Sequence, residues 1–589
     1  MKSDMESRLR VMMILFIGSF SILAARLFYL QVIQGEKLRT IAESNRTQTI
    51  FERAPRGLIL DKNGIVLADN RPTFVVTFTP LNLGRDVLTG VVERLSKILG
   101  LTEEELNRLF KPAIRHSSMV RLMDRVSRHS AFALAEQKPN LPGVSVVTEM
   151  QRRYPQNDLA AHILGFLGQV SPSEKVGEAG GYRPDVLVGK MGLEKKYDKA
   201  LHGEDGGMRF EVNAQGRSLK ILDRQETSVG YEIQTTLDFK IQKAAEEALK
   251  ETGKAGAVVA LDPRNGDVLA MVSAPQFDPN AFVSIRGEES GEDRSVSSLL
   301  IDPREPLFNR AIQGRYPPGS IFKVIALALA IESKKINPQE TVNCPGFYRL
   351  AGRVPKTFLC WKKDGHQRMD LMEGMINSCN VYFYTLGLKL GPTAVEGLAG
   401  QFGVGTKTGI EIPGEDAGLM PRKNMFKQGK RGWYDGDTLN RVIGQGNILL
   451  TPLQAAMMAS AVASHGKVYR PHLVKEVRTP AGEIFNRSKI ELTRSISLSN
   501  ETWDFVDQAM TQTVERGTGQ SCKISGVKVG GKTGTAQNPQ GKDHAWFIAF
   551  APVDDPKIAL SVLVEHGIQG SVAAAPIARK VILAALVNP

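Results

Sequence analysis

Three short motifs built from serine, lysine and threonine are the residues of this chain best suited to chemistry. They are Ser320-Ile321-Phe322-Lys323, Ser378-Cys379-Asn380 and Lys532-Thr533-Gly534-Thr535. A serine hydroxyl becomes a good nucleophile when a base takes its proton, and a lysine buried near other cations has the lowered pKa that such a base needs. The motifs therefore predict a cleft in which Ser320 is the nucleophile and Lys323 is the base.

The same short patterns recur in the chain, and their order separates the candidates from the rest. Ser464-His465-Gly466-Lys467 and Ser525-Gly526-Val527-Lys528 repeat the first pattern, and Lys407-Thr408-Gly409 repeats the third. The sequence contains a single serine-x-asparagine, at Ser378, and both alternative serines come after it. Ser320 is therefore the serine whose position fits the order of the three motifs.

The flanking sequence indicates which elements carry the motifs. Ser320 follows a Tyr-Pro-Pro-Gly segment and precedes an apolar run, which predicts the first turn of a buried helix. Ser378 and Asn380 lie between two helical patterns, so we expect a tight connection there. Lys532 follows a strand-like segment, and residues 545–550 form a second strand pattern after it. One large domain must fold these three segments around a single cleft.

We expect a separate role for each motif. Ser378 can relay a proton between the two lysines and the leaving amine, and Asn380 can hold Lys323 and the substrate amide. The strand that edges the cleft supplies the groups for a substrate carboxylate: Lys532, Thr533, Gly534 and Thr535.

A phosphate-binding loop is the main alternative at the third motif. Residues 526–533 match the G-x-x-x-x-G-K-[ST] pattern of nucleotide hydrolases. That pattern requires a helix directly after the loop, so that phosphates meet its N-terminal amides. A strand pattern follows here, which disfavours a nucleotide site. A Ser-His-Asp hydrolase is also disfavoured, because the chain has no G-x-S-x-G elbow.

Together, the motifs resemble the S-x-x-K, S-x-N and K-T-G signature of penicillin-binding proteins and serine β-lactamases. The resemblance implies a transpeptidase domain in which an antiparallel sheet is flanked by helices. It also implies an oxyanion hole made by the backbone N–H groups of Ser320 and Thr535. Residues 234–272, a helical pattern followed by two strand patterns around Asn265-Gly266, are similar to the start of that domain.

The N-terminus predicts a membrane anchor. Lys2, Arg8 and Arg10 precede an apolar stretch, residues 11–33, that is long enough to span a bilayer. The positive charges predict that residues 1–10 are cytoplasmic and that the body is exported. A cleaved signal peptide is the alternative, although its cleavage site is weak. No second span is predicted, so we expect a single-pass inner-membrane protein with a periplasmic bulk.

The segment between the anchor and residue 230 predicts a mixed α+β module. Residues 56–67 read as a hairpin with Asn63-Gly64 at its turn, and helical patterns follow at residues 87–99 and 103–110. With Arg152-Arg153-Tyr154-Pro155 and residues 189–194, these pieces resemble the pedestal, or dimerisation, domain of class B penicillin-binding proteins. The residues give this module no chemistry of its own.

The predicted fold class is therefore α+β, in a chain of 589 residues whose 42% hydrophobic content can build at least two cores. The net charge of +13 suits adhesion to anionic lipid or wall polymer better than recognition of nucleic acid, although solubility alone explains it equally well. The predicted domains are a cytoplasmic tail (1–10), an anchor (11–33), a pedestal (34–230) and a transpeptidase domain (231–589).

Three cysteines and a histidine surround the middle motif in sequence. Cys344, Cys360, His366 and Cys379 are separated by loop-sized intervals, and three thiolates with one imidazole can form a closed zinc site. If Ser378 and Asn380 face the cleft, then Cys379 faces behind it, where a structural zinc would fix the catalytic loop. A Cys344–Cys360 disulfide and buried free thiols are the alternatives. No organic cofactor is expected.

The resemblance implies a peptidoglycan D,D-transpeptidase that cross-links stem peptides through an acyl-enzyme on Ser320 and is acylated by β-lactams. Residues 360–366 and the short C-terminal tail are similar to the class B branch that serves cell-wall elongation and cell shape. Its implied partners are the membrane, a RodA-type glycosyltransferase and other elongation-complex proteins, with no nucleic acid. A division-specific transpeptidase, a D,D-carboxypeptidase, a β-lactamase and a β-lactam sensor are the alternatives.

Overall fold

The computed structural model describes most of the chain, and its account begins with a long apolar helix. The residues that it describes are 2–39, 47–79, 84–116, 120–171, 186–212, 218–283, 296–351, 356–421, 433–539 and 541–587. Helix α1, Lys2–Phe28, continues into a π-helical turn, Tyr29–Ile33. Within the described residues, Ser7–Ile33 is the one segment with the length and composition to cross a membrane, and it contains the predicted anchor.

The module after α1 mixes strands with short helices. Its strands are β1 (Thr47–Glu52), β2 (Ile59–Leu60), β3 (Val66–Phe78), β4 (Val120–Val126), β5 (Val144–Arg153), β6 (Leu167–Gln169), β7 (Leu187–Gly189), β8 (Gly206–Val212) and β9 (Ser218–Gln225). Its helices are α2 (Arg85–Leu99), α3 (Glu103–His116), α4 (Arg128–Glu136), α5 (Ala161–Leu164), α6 (Gly192–Lys196) and α7 (Asp198–His202).

The hairpin and the two helices predicted for this module are confirmed. Strands β2 and β3 pair antiparallel, and Gly64 adopts the left-handed φ of +88° that their turn requires. Gly100 caps the C-terminus of helix α2, and its φ of +68° lets its N–H reach the Ser96 carbonyl at 3.0 Å. The local core includes Phe78 and Phe110, whose ring centroids are 4.0 Å apart.

The second module holds most of the chain. Its strands are β10 (Glu232–Thr235), β11 (Gly256–Leu261), β12 (Val268–Ala274), β13 (Val342–Cys344), β14 (Phe347–Leu350), β15 (Lys356–Leu359), β16 (Gln367–Met369), β17 (Lys467–Tyr469), β18 (Val474–Arg478), β19 (Ile484–Arg487), β20 (Leu492–Ser495), β21 (Gly530–Ala536), β22 (His544–Ala551) and β23 (Ile558–Val564).

Helices surround these strands. They are α8 (Phe239–Lys250), α9 (Val296–Ile301), α10 (Arg310–Gln313), α11 (Lys323–Glu332), α12 (Leu371–Ile376), α13 (Asn380–Leu390), α14 (Pro392–Gln401), α15 (Asp435–Val442), α16 (Pro452–Ala463), α17 (Asn500–Arg516), α18 (Gly570–Ala573) and α19 (Ala575–Leu586).

A five-stranded antiparallel sheet forms the centre of the second module, as predicted. Its order is β12-β11-β23-β22-β21, so β21, which contains Lys532, is an edge strand. Every residue of β11, β12 and β23 is buried. Helix α16 packs against β23 and β11, whereas α8 and α19 pack against each other and against sheet strands. A strand buried on both faces reads as a nearly continuous apolar run, and these three do, interrupted only by Ser273 in β12 and Ser561 in β23.

A second sheet crosses the predicted boundary near residue 230. Strand β10 pairs in parallel with β2 of the first module and antiparallel with β18 of the second, so the order is β19-β18-β10-β2-β3-β4, with β5 also on β3. The two modules therefore share main-chain hydrogen bonds. The boundary itself stays a prediction.

A buried ionic cluster holds the first module together beside this sheet. The Glu194 carboxylate is fully buried and accepts from Arg56 Nε at 2.6 Å and from Arg152 Nε at 2.7 Å. Arg56 also donates to Asp198 at 2.6 Å, and the Tyr154 hydroxyl donates to Glu194 at 3.2 Å. Burial alone would raise the pKa of Glu194, but the two guanidinium groups hold that pKa below its usual value.

Candidate active site

Ser320 lies in a 3-10 turn, Gly319–Phe322, that leads directly into α11. Gly319 has a φ of +55°, and a Cβ built on it would lie 2.3 Å from the Thr535 carbonyl oxygen. Its N–H donates to the Gly444 carbonyl at 2.9 Å, and Trp546 Nε1 donates to the Pro317 carbonyl at 3.0 Å. Glycine at 319 therefore allows the nucleophile turn to contact the backbone of β21. The predicted helical turn is correct, although its geometry is 3-10.

Lys323 is fully buried at the start of α11 and points at the middle motif. Its Nζ lies 2.7 Å from Asn380 Oδ1, 2.9 Å from the Ser378 carbonyl and 3.4 Å from Ser378 Oγ. Burial lowers the pKa of Lys323 to about 8, against a smaller opposing effect of the nearby Cys379 and Cys360 thiols. About a tenth of this amine is therefore neutral at pH 7, far more than for an ordinary lysine, as a base requires.

Lys532 contacts the same hydroxyl. Its Nζ donates to Ser378 Oγ at 2.9 Å and to the Thr533 carbonyl at 3.1 Å, and the side chain is fully buried. Burial lowers the pKa of Lys532 well below its ordinary value, and repulsion from Lys323 lowers it further. Ser378 Oγ thus joins two buried amines, which is the arrangement that a proton relay needs.

Ser378 is held in a conformation that serine rarely adopts. It lies between α12 and α13, as predicted, with a left-handed φ of +52°. A loop, residues 359–361, braces it on both sides: Trp361 Nε1 donates to the Asn377 carbonyl at 3.1 Å, and Asn380 Nδ2 donates to the Leu359 carbonyl at 3.4 Å. These bonds offset the cost of the strained backbone.

The free edge of β21 faces the cleft. Thr533 Oγ1 lies 2.7 Å from Thr518 Oγ1, so two hydroxyls adjoin Lys532 where a substrate carboxylate is expected. The Thr535 carbonyl accepts from Gln445 Nε2 at 3.1 Å. Gly534 lies between them, where a Cβ would come within 2.8 Å of Trp546 Cβ.

The structure brings all three motifs together, and it adds residues that the sequence did not assign. Thr518 follows α17 in a glycine-flanked turn, and a lone threonine after a helix gives no sequence signal. Trp361 lies within the cysteine-containing segment 360–366, and Gln445 lies between two glycines, but neither position carries a sequence signal for a role in the site. Among the described residues, the Ser320 hydroxyl has no hydrogen-bond partner, which leaves it exposed to an incoming substrate.

The three cysteines and the histidine also meet, directly behind the middle motif. The Sγ atoms of Cys344 and Cys360 lie 3.6 Å and 3.5 Å from His366 Nδ1, and the four potential ligand atoms all lie within 4.8 Å of one another. Cys379 is fully buried and caps α13 through Tyr382 N–H at 3.5 Å. A zinc tetrahedron with Zn–S bonds of about 2.3 Å has edges of about 3.8 Å, so the donor set fits that ion.

The cluster is held by short strands. Cys344 ends β13, which pairs with β16 just after His366, and Cys360 follows β15. Hydrogen bonding from the Cys379 thiol and from His366 lowers the pKa of Cys360. His366 Nε2 is buried without a partner among the described residues. All four cysteines are free thiols in the structure.

Comparison with known proteins agrees with this geometry. A family model described as "Penicillin binding protein transpeptidase domain" matches residues 256–583, and one described as "Penicillin-binding Protein dimerisation domain" matches residues 51–235. The peptidoglycan D,D-transpeptidase MrdA of Acinetobacter baumannii is 34% identical over 574 residues, which cover 94% of this chain and 84% of that protein.

Two solved structures are similar over the same length. The penicillin-binding protein 2 (PBP2) of Helicobacter pylori, solved in complex with MreC, has a TM-score of 0.77 at 30% identity and covers 91% of this chain and 98% of its own. A chain from a peptidoglycan synthase complex that coordinates polymerization and crosslinking has a TM-score of 0.71 at 30% identity, with 98% of each chain covered. This chain therefore belongs to the class B penicillin-binding proteins, the peptidoglycan D,D-transpeptidases, within the penicillin-binding protein 2 (MrdA) group.

Proposed function

We propose that this chain is a membrane-anchored peptidoglycan D,D-transpeptidase of cell-wall elongation and that Ser320 is its nucleophile. The observation that carries the assignment is the path from Lys323 through the Ser378 hydroxyl to Lys532. Two buried amines joined by one hydroxyl can accept a proton from a serine and return it to a leaving amine. The names of the MrdA and PBP2 relatives support the role in elongation and cell shape.

Acylation follows from the positions of these groups. Ser320 Oγ attacks the carbonyl carbon of the penultimate D-alanine of a stem peptide, and its proton passes to neutral Lys323. The backbone N–H groups of Ser320 and Thr535 stabilise the oxyanion. The C–N bond to the terminal D-alanine then breaks, and its amine receives the proton from Lys323 through the Ser378 hydroxyl. The terminal carboxylate is held at Lys532, beside the Thr518 and Thr533 hydroxyls.

Transfer to the acceptor reverses these proton movements. The amine of a second stem peptide attacks the Ser320 ester, loses its proton to Lys323, and forms the cross-linking amide as Ser320 Oγ leaves and regains a proton. A β-lactam acylates the same serine, but its leaving nitrogen stays attached to the acyl group. The acceptor is therefore blocked, which makes the acyl-enzyme long-lived.

One experiment separates transpeptidation from its alternatives. The full-length protein in detergent is treated with a fluorescent penicillin, and separately with a D-alanyl thioester donor and a D-amino acid acceptor. We expect stable labelling that Ser320→Ala abolishes, together with an acceptor-dependent product. Absence of labelling would contradict the proposal, rapid penicillin turnover would indicate a β-lactamase, and hydrolysis without transfer would indicate a carboxypeptidase.

We also propose that the thiol and imidazole cluster holds one structural zinc ion. Three thiolates and one imidazole fill all four positions of a tetrahedral site, so no position stays open for catalysis. Such a site ties Cys379, between Ser378 and Asn380, to the loops that carry Cys344, Cys360 and His366. The ion would supply no catalytic step, and its effect would be to hold the catalytic connection in place.

Metal analysis of the purified full-length protein tests this assignment. We expect about one zinc per chain and its loss in Cys379→Ser, because that change removes one of four ligands. Folded protein that carries no metal and still labels with penicillin would rule the zinc out.

The apolar helix α1 and the similar proteins support a proposal for the location and the protein partners of the enzyme. We propose a single-pass inner-membrane protein with a periplasmic body, a RodA-type glycosyltransferase bound through α1 and the first module, and an MreC-type partner. The two similar structures, one with MreC and one from a synthase complex, support these partners. Co-purification of the glycosyltransferase with the full chain, lost when residues 11–33 are replaced by an unrelated span, tests the first contact.

A further inference from the structure

The Thr535 carbonyl lies beside the nucleophile turn. Strand β21 is the edge of its sheet, and the Thr535 oxygen contacts groups that lie outside the sheet. One is Gly319, where a built Cβ would lie 2.3 Å from this oxygen. The other is Gln445, whose Nε2 donates to it at 3.1 Å. The oxygen therefore faces the cleft, immediately beside Ser320.

An extended peptide that binds at the edge of a sheet pairs with such backbone groups. The donor stem peptide has an amide N–H on the residue whose carbonyl Ser320 attacks, next to the bond that breaks. If the proposed function holds, that N–H needs an acceptor on β21 close to Ser320. The Thr535 oxygen has the required position. Gly319 covers one side of this oxygen, however, and the Gln445 amide already occupies the other side.

The Gln445 side chain can leave this position without breaking other bonds. Its backbone N–H is fixed by the Asn440 carbonyl at 2.9 Å, and the neighbouring Gly444 carbonyl accepts from Gly319. The bond to Thr535 is the one hydrogen bond that its side chain makes with described residues. The side chain is therefore a movable donor on a fixed backbone.

We propose that Gln445 determines donor specificity by competing with the donor's N–H for the Thr535 carbonyl. This inference rests on the proposed transpeptidase function and concerns the same site. The hydrogen bond from a donor N–H to Thr535 therefore contributes less net binding free energy in this enzyme than it would at a free strand edge, because binding must first displace the Gln445 amide.

A matched pair of donor substrates isolates the contribution of the substrate N–H to catalysis. One is an N-acyl-D-alanyl thioester, and the other is its O-acyl-D-lactoyl counterpart, in which an ester oxygen replaces the N–H at nearly equal size. The full-length protein in detergent is assayed by thiol release, as wild type and as Gln445→Met, which keeps the side-chain length and removes the donor. Asn447→Ala, an exposed change in the same loop, is the matched control.

We expect Gln445→Met to raise the ratio of kcat/KM for the alanyl donor over the lactoyl donor about fivefold, the effect of a single net hydrogen bond. Asn447→Ala should leave the ratio within twofold of wild type. An unchanged or lower ratio, or a parallel loss of both activities, would overturn the inference and make Gln445 a structural brace. Failure of the proposed function is distinct, since wild type would then show neither Ser320 labelling nor turnover of either donor.

Discussion

At the scale of single residues, the Ser378 hydroxyl is the group that connects the two buried lysines of the site. It lies 2.9 Å from one buried amine and 3.4 Å from another. Two ammonium groups this close repel each other in a medium that screens poorly, so at least one of the amines is readily neutral. The hydroxyl can donate to a neutral amine and accept from a charged one, as a proton relay requires.

Removal of this hydroxyl tests its role. Ser378→Ala keeps the volume of the site and breaks the path between Lys323 and Lys532. We expect the rate constant for penicillin acylation to fall about 100-fold, the usual contribution of a positioned proton donor. Stopped-flow acylation measures it, with thermal unfolding as the control for folding. A change of less than threefold would show that protons travel by another route.

We expect the protonation state of Lys323 to determine the pH dependence of acylation. Its pKa is lowered to about 8, and it must be neutral to accept the Ser320 proton. Acylation should therefore be slow at pH 6, where roughly 1% of this amine is neutral, rise as pH approaches 8, and level off above it. Rate constants measured between pH 6 and 9.5 give the profile. A flat profile, or one that falls with pH, would exclude Lys323 as the base.

The sequence identifies the site residues that belong to short local motifs. It does not identify the site residues whose role depends on partners that folding brings close. Ser320, Lys323 and Lys532 were found because their spacing and order are unusual. Thr518 and Gln445 could not be assigned, because their hydrogen bonds join different elements: Thr518 bonds Thr533, 15 residues away, and Gln445 bonds Thr535, 90 residues away. A hydroxyl or amide alone gives no sign of such a partner.

At the scale of elements, the nucleophile turn depends on a glycine. Gly319→Ala would place a Cβ 2.3 Å from the Thr535 oxygen at a positive φ. We expect the site to open, penicillin labelling to be lost, and stability to fall by at least about 1–2 kcal/mol from the backbone conformation alone. Labelling and chemical unfolding measure both.

Gly397→Ala in α14 is the matched control for this change. A Cβ there meets nothing within 4 Å, so the substitution should stabilise the helix by about 0.5–1 kcal/mol and leave labelling unchanged. Normal labelling of Gly319→Ala would show that the turn has room to adjust.

The loop that braces Ser378 is the second element with a testable part. Trp361→Phe keeps an aromatic ring beside His366 and removes the N–H that donates to the Asn377 carbonyl. We expect penicillin acylation to slow about fivefold, because the left-handed Ser378 backbone loses about 1 kcal/mol of support. Leu359→Ala is the control, since Leu359 contributes its backbone carbonyl. Equal rates in both variants would contradict the brace.

Helices and strands were predictable where their apolar residues follow a clear helical or strand pattern. The helices near residues 87–110 and the central strands of the second module were found from apolar patterns. The hairpin of β14 and β15 was not predicted, because its short strands are largely exposed and carry little apolar signal. The pairing of β10 with β2 was also not predicted, since a parallel contact between distant segments leaves no local trace.

At the scale of the whole molecule, the buried cluster around Glu194 stabilises the module that carries the anchor. Glu194→Gln would leave Arg56 and Arg152 buried without their shared charge, at a cost of about 3–5 kcal/mol. Chemical unfolding of the full chain in detergent measures it. Glu93→Gln, in an exposed pair with Lys97, should leave the free energy of unfolding nearly unchanged, because solvent screens that pair. Similar costs for the two would show that the cluster relaxes readily.

The sheet shared by the two modules has a mechanical consequence. Strand β10 is bonded to β2 on one side and to β18 on the other, so the two bodies are joined by backbone and not by a linker alone. Pulling the first module away from the second would therefore have to break the ladder hydrogen bonds of β10, and not merely extend a linker. The pairing resists separation of the two modules under load.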